Sequence, residues 1–122
     1  MLVAVDLDNT IDTNPKEFQS LTLALRAAGH VVVILTGTSE HAVTEDVWRR
    51  KAEYLQELGC SECWDEMTVL ANLADPDYPN RKGTWCKEHG VDILIDNSKT
   101  NAKAATAAGV PLVFVPWATR SD

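Results

Sequence analysis

The feature that most constrains this chain is an alternation: short, β-branched, charge-free runs each give way to a helix-length segment, and those segments stop at glycines. Leu2–Leu7 is an apolar run that ends in carboxylates, the pattern of a buried parallel strand delivering side chains at its carboxyl edge. Pro15 then sits just inside a helix in which Phe18, Leu21, Leu25 and Ala28 recur at helical spacing before Gly29. Val31–Leu35 reads as a second strand, about Glu40 to Leu58 as a second helix closed by Gly59, and Met67–Ala71 as a third strand with the weakest signal. Turn residues from Asp75 to Asn80 precede a short helix, Lys82–His89, which Gly90 stops. Ile93–Ile95 makes a fourth strand closed by Asp96, Ala102–Ala108 a helix closed by Gly109, and Leu112–Val115 a last strand. Such alternation predicts an α/β, doubly wound, mainly parallel Rossmann-like sheet, and 122 residues at 45% hydrophobic content fit one domain spanning 1–122.

Charge and apolar runs exclude several classes. A formal net charge of −7 disfavours sequence-independent contact with a nucleic-acid backbone, which leaves a basic stripe, but it is compatible with a small phosphate or a phosphorylated end. No apolar run reaches the roughly 18 residues of a membrane span, and Asp6 cuts the opening run, so neither a span nor a signal peptide is expected and the chain reads as cytoplasmic. The three cysteines are read as thiols or metal ligands rather than disulfides. Cys60-x-x-Cys63 and Cys86-x-x-His89 have the spacing of a Cys₃His zinc site at the amino edge of the sheet, so a structural zinc is a secondary expectation beside the default of buried thiols. Trp48, Trp64, Trp85 and Trp117 are assigned to packing rather than to base stacking.

Polar groups fall where a parallel sheet places its site, beyond the carboxyl ends of the strands: Asp6 and Asp8 after the first, Thr36 after the second, Asp96 after the fourth. Three carboxylates in one cleft repel by several kcal/mol unless a cation sits among them, and oxygen-only ligands point to Mg²⁺. That ion commonly shares its shell with substrate phosphate, so a phosphate ester is the expected substrate, with the Thr36 hydroxyl, the Gly37 N–H and the Lys82 ammonium on its remaining oxygens.

Asp6-Leu7-Asp8-Asn9-Thr10 after a hydrophobic strand resembles the first motif of the haloacid dehalogenase superfamily; Leu35-Thr36-Gly37 resembles the second, Lys82 the third and Asp96-Asn97 the fourth. The resemblance spans nearly the whole chain in the right order. It implies a five-stranded sheet in the order 5-4-1-2-3, Asp6 as nucleophile towards phosphorus, and Asp8 as the acid that protonates the leaving oxygen and then activates water. It also implies Mg²⁺ held by Asp6, Asp96 and the backbone carbonyl of Asp8. Phosphatase-like members have an acid at the position of Asp8, which dehalogenase-like members lack, so hydrolysis of a phosphate monoester is the expected reaction. Where many relatives have two adjacent acids in the fourth motif, this chain has Asp96-Asn97, one metal-shell carboxylate fewer.

Family members usually carry a cap domain after the first motif or after the third strand. Here only Asn9–Pro15 separates the first strand from its helix, and about ten residues separate the third strand from Lys82, so no cap is expected. Capless members tend to act on macromolecular substrates or to borrow a cap by oligomerising, which makes a phosphorylated macromolecule and a second copy of the chain the expected partners. Two other readings compete. A catalytically silent phosphate- or protein-binding module of the same fold is one. A receiver-like phosphoacceptor is the other, and it fits less well: it wants an Asp after strand three and a Lys after strand five, where this chain has Ala71-Asn72-Leu73 and Pro116-Trp117.

Overall fold

The computed structural model describes residues 1–72 and 76–116. Its strands are β1 (Leu2–Val5), β2 (Val31–Thr38), β3 (Glu66–Ala71), β4 (Ile93–Ile95) and β5 (Leu112–Phe114), and its helices α1 (Pro15–Ala27), α2 (Glu45–Glu57), α3 (Arg81–His89) and α4 (Lys99–Ala108). All five strands run parallel in one sheet, in the order β3-β2-β1-β4-β5, which is the predicted order. The chain winds from β1 to one side through β2 and β3, then crosses back to β4 and β5. A crevice therefore opens at the carboxyl end of β1, where the winding reverses. The register aligns Val5 with Ile34 on one side and Ile95 on the other, so Asp6, Leu35 and Asp96 follow at the same level.

Alternation along the strands divides the core. Val3, Val5, Val32 and Ile34 face α1 and α2, where they meet Phe18, Val47 and Leu55. Ala4, Leu35 and Leu94 face α3 and α4, where they meet Cys86 and Ala105. On that second face the two helices touch almost backbone to backbone: a Cβ added at Gly83 would lie 2.6 Å from the carbonyl oxygen of Ala104. Only glycine permits that approach.

Several boundaries differ from the sequence reading, each for a local reason. β2 continues past Leu35 to Thr38 because β3 lies alongside it, pairing Thr36 with Val69 and Thr38 with Ala71. α2 starts at Glu45 rather than near Glu40, because the Thr44 hydroxyl accepts from the Val47 N–H at 3.2 Å and sets the first turn. α4 starts at Lys99, ahead of the alanine run, because the Ser98 hydroxyl accepts from the Asn101 N–H at 3.2 Å. Trp117 and Asp75 lie outside the described residues. Among the described residues no segment forms a separate domain over the carboxyl edge, and no helix is long and apolar enough to cross a membrane.

The zinc expectation does not survive the topology. Cys60 and Cys63 are buried in the cluster under α1 and α2, whereas Cys86 is buried on the opposite face of the sheet. His89 is exposed, stacked on Trp85 at 3.9 Å with its Nδ1 at 2.8 Å from the Trp85 carbonyl. Among the described residues no three His, Cys, Asp or Glu side chains cluster as metal ligands. Spacing along the chain was right for zinc, but the sheet stands between the two halves of the set. All three cysteines are free and buried, and burial pushes the Cys60 thiol up to about 12, with Cys63 beside it, and the Cys86 thiol to about 11.

Candidate active site

The first carboxylate is a continuation of the sheet. The Asp6 N–H donates to the Ile95 carbonyl at 2.9 Å, extending the β1–β4 ladder by one rung before the chain turns through Leu7–Thr10, with Asn9 left-handed at φ 61°. Asparagine tolerates that conformation better than most residues. Asp96 is held likewise, its N–H donating to the Phe114 carbonyl at 3.1 Å. Two acids from adjacent strands thus converge in the crevice, both buried.

Lys82, in the first turn of α3, places its ammonium between them, 2.7 Å from Asp6 Oδ1 and 2.7 Å from Asp96 Oδ2. Further donors reach both carboxylates. The Thr10 hydroxyl donates to Asp6 Oδ2 at 3.1 Å and accepts from the Asn97 N–H at 3.2 Å. Asp96 accepts from the Ser98 N–H at 2.8 Å and from the Asn101 side-chain amide at 3.2 Å. Thr10 thereby ties the loop after β1 to the loop after β4.

Burial dominates the electrostatics of Asp6. It pushes the carboxyl up from 3.8 to about 6, against the pull of Lys82 and with a further push from Asp96. For Lys82 burial alone would favour the neutral amine, but the two carboxylates outweigh it and hold the ammonium above its ordinary value. One ammonium faces two acids, so the ionised group carries a net charge of −1.

Asp8 has a different environment. Its side chain is 46% exposed, and its Oδ2 accepts from the Lys51 ammonium at 2.6 Å and from the Thr36 hydroxyl at 3.2 Å. Thr36 is fully buried and spends its hydroxyl on Asp8. Asp6, Asp8, Lys82 and Asp96 border one cavity of about 330 Å³, whose opposite wall includes Gly37 and Ser39. Gly37 lies close to Asn72: a Cβ there would come within 2.4 Å of the Asn72 side-chain nitrogen, so that amide would have to shift. Of the six residues predicted from sequence, five line the cavity, and Thr36 stands behind Asp8.

Lys51 was not anticipated, yet its signal was in the sequence: Val47, Lys51 and Leu55 recur at four-residue intervals, which puts a cation on the buried stripe of α2. Tyr54, one turn on, donates to Asp12 Oδ2 at 2.8 Å and clamps α2 to the loop after β1. Asn72, Tyr78 and Arg81 also reach the cavity. Asn72 and Tyr78 lie between β3 and α3, where no periodicity reveals them, and Arg81 opens α3.

No family model matches the chain, and comparison with curated proteins gives no match. Solved structures do match in fold. D,D-heptose 1,7-bisphosphate phosphatase from Burkholderia thailandensis superposes with a TM-score of 0.60 at 16% identity, over 88% of this chain and 73% of that one. A universal stress protein from Archaeoglobus fulgidus gives 0.58 at 11% identity, over 93% and 91%. At such identities both likenesses speak for the fold, and the crevice has to be read from its own residues.

Proposed function

We propose that this protein is a Mg²⁺-dependent phosphohydrolase that cleaves a phosphate monoester through an aspartyl-phosphate on Asp6. The observation that carries the reading is the convergence of two buried carboxylates on one buried ammonium, beside a half-exposed third acid, at the crevice where the sheet reverses its winding. A structural ion pair would need neither the net negative charge nor the open cavity. The likeness in fold to a bisphosphate phosphatase accords with this reading.

The donor set fits the metal: it is all oxygen, and its uncompensated negative charge attracts a cation. Asp6, Asp96 and the backbone carbonyl of Asp8 would hold the ion, whose chemistry is to neutralise phosphoryl charge as the carboxylate approaches. Asp6, held by the ladder and by Thr10, presents a carboxylate oxygen to phosphorus. The Lys82 ammonium and the Gly37 N–H would receive phosphoryl oxygens. Attack by Asp6 forms a new O–P bond and breaks the ester P–O bond. Asp8 gives its proton to the leaving oxygen and, in the second half, takes one from the water that attacks phosphorus, releasing inorganic phosphate and Asp6. Thr36 contributes by steadying Asp8 rather than by touching phosphate. Turnover of 4-nitrophenyl phosphate with Mg²⁺, abolished by EDTA and restored by added Mg²⁺, tests the proposal; no turnover across a range of Mg²⁺ concentrations would overturn it.

A further inference from the structure

A second cavity, of about 470 Å³, adjoins the first and shares Asp8 and Gly37–Ser39 with it, then runs away from Asp6 to Lys51 and Tyr54 on α2. We infer that it is the leaving-group subsite, and that Lys51 there selects phosphate esters whose leaving group carries a compact anion such as a carboxylate close to the ester oxygen. The inference rests on the proposed function, because it takes Asp8 as the group that meets the leaving oxygen.

Three observations support it. Phosphorus must lie against Asp6, while the leaving oxygen must lie within hydrogen-bond reach of Asp8, so the leaving group extends to the Asp8 side, where the second cavity begins. Asp8 Oδ2 is already taken by Lys51 and Thr36, which leaves Oδ1 for the substrate and keeps Lys51 in place while Asp8 works. An ammonium has three donors, and Asp8 takes one of those of Lys51, whose side chain is 19% exposed at the cavity wall. The other cation on this wall, Arg50, already has its charge matched by two acids, Glu40 at 2.8 Å and Asp46 at 3.0 Å, whereas among the described residues Lys51 pairs with the single acid Asp8. A carboxylate is a strong, compact, charge-assisted acceptor for such an ammonium. With Lys51 Nζ 2.6 Å from Asp8, a carboxylate on that ammonium can lie as close as roughly 5 Å to the ester oxygen, a reach of two or three carbons.

The test uses two esters of nearly equal shape, the phosphate monoesters of 3-hydroxypropanoate and of 3-hydroxypropanamide, with the Mg²⁺-loaded protein, Lys51→Met and Lys51→Arg. Expected is a kcat/KM ratio of acid to amide of at least tenfold in the wild-type protein, a fall of that ratio by at least tenfold in Lys51→Met, and partial retention in Lys51→Arg. A ratio near one in the wild-type protein, or one that Lys51→Met leaves unchanged, overturns the subsite. Because the ratio divides out any general loss of Asp8 function, a merely structural role for Lys51 does not move it. If 4-nitrophenyl phosphate is hydrolysed while the ratio stays near one, the subsite alone fails; if no ester is hydrolysed, the phosphohydrolase reading fails and the subsite falls with it.

Discussion

Replacing Lys82 by methionine keeps most of the side-chain volume and removes the charge on which two buried carboxylates depend. Side-chain exposures of 9% for Lys82, 7% for Asp6 and 0% for Asp96 leave little solvent to screen the loss. Breaking a buried pair from one side costs about 3–5 kcal/mol, because an uncompensated charge stays behind. With a urea m-value of about 1–3 kcal/mol per molar for a chain of this size, the midpoint of unfolding should fall by roughly 2 M at pH 7.5 without metal. The pH dependence has a determined sign. Asp6 already titrates in the folded protein at about 6, above its ordinary 3.8, and without Lys82 its carboxyl rises further. Over that interval the folded state binds more protons than the unfolded one, so stability increases as pH falls. The deficit of Lys82→Met should therefore shrink between pH 7.5 and pH 5, as a proton enters the Asp6–Asp96 pair in place of the ammonium. Millimolar Mg²⁺ should restore part of it at pH 7.5. Urea unfolding followed by far-UV circular dichroism at both pH values measures all three effects. A loss below about 1 kcal/mol at pH 7.5, or one that grows on acidification, would refute the account of Lys82 as the compensating charge.

Three further outcomes are expected. Asp6→Asn should abolish turnover with the fold intact, while Asp8→Asn should slow hydrolysis of the aspartyl-phosphate enough for a phosphoenzyme to be trapped by acid quench and mass spectrometry; near-wild-type rates in either variant contradict the assignment. EDTA should stop catalysis without loss of helical signal, since both buried acids are fixed by backbone ladders and by Lys82, and an unfolded metal-free protein would disprove this. Gly83→Ala should destabilise by about 1–3 kcal/mol through its clash with the Ala104 carbonyl and should also lower activity by displacing Lys82, so an unchanged melting temperature would mean that α3 and α4 separate easily.

How much of this was legible in the sequence depended on the kind of signal. The strands and the places of Asp6 and Asp96 at their ends followed from apolar runs closed by polar residues, a pattern set by backbone pairing and burial, which local sequence records well, whereas the strand order was implied by the family resemblance and Lys82 by a helix start. The start of α2 was misplaced by five residues, because Ser39 followed by Glu40–Val43 is an acceptable helix start, whereas the cap that forms is Thr44. Thr36 was assigned to phosphate, yet its hydroxyl turns to Asp8, a choice made by side-chain packing that no spacing rule encodes. The cysteines failed for a topological reason: Cys60-x-x-Cys63 and Cys86-x-x-His89 fall on opposite faces of the sheet, and the side taken by each crossover helix decides that. Lys51 shows the converse, a functional candidate missed because no face was assigned to the second helix, although Val47, Lys51 and Leu55 share one.

The amides of Asp6 and Asp96 are rungs of the β-ladder, whereas Asp8 sits in the turn that follows. Hydrogen exchange should separate them: the first two amides open only with the sheet as a whole, on the slowest timescale the molecule has, while the turn bearing Asp8 opens locally and fast. On the proposed mechanism the nucleophile and its companion acid would then belong to the rigid frame of the molecule, and the proton carrier to a turn that opens more readily. A ligand that enters the crevice can adjust the second without disturbing the first, so binding and release need not strain the groups that must be in place for bond formation.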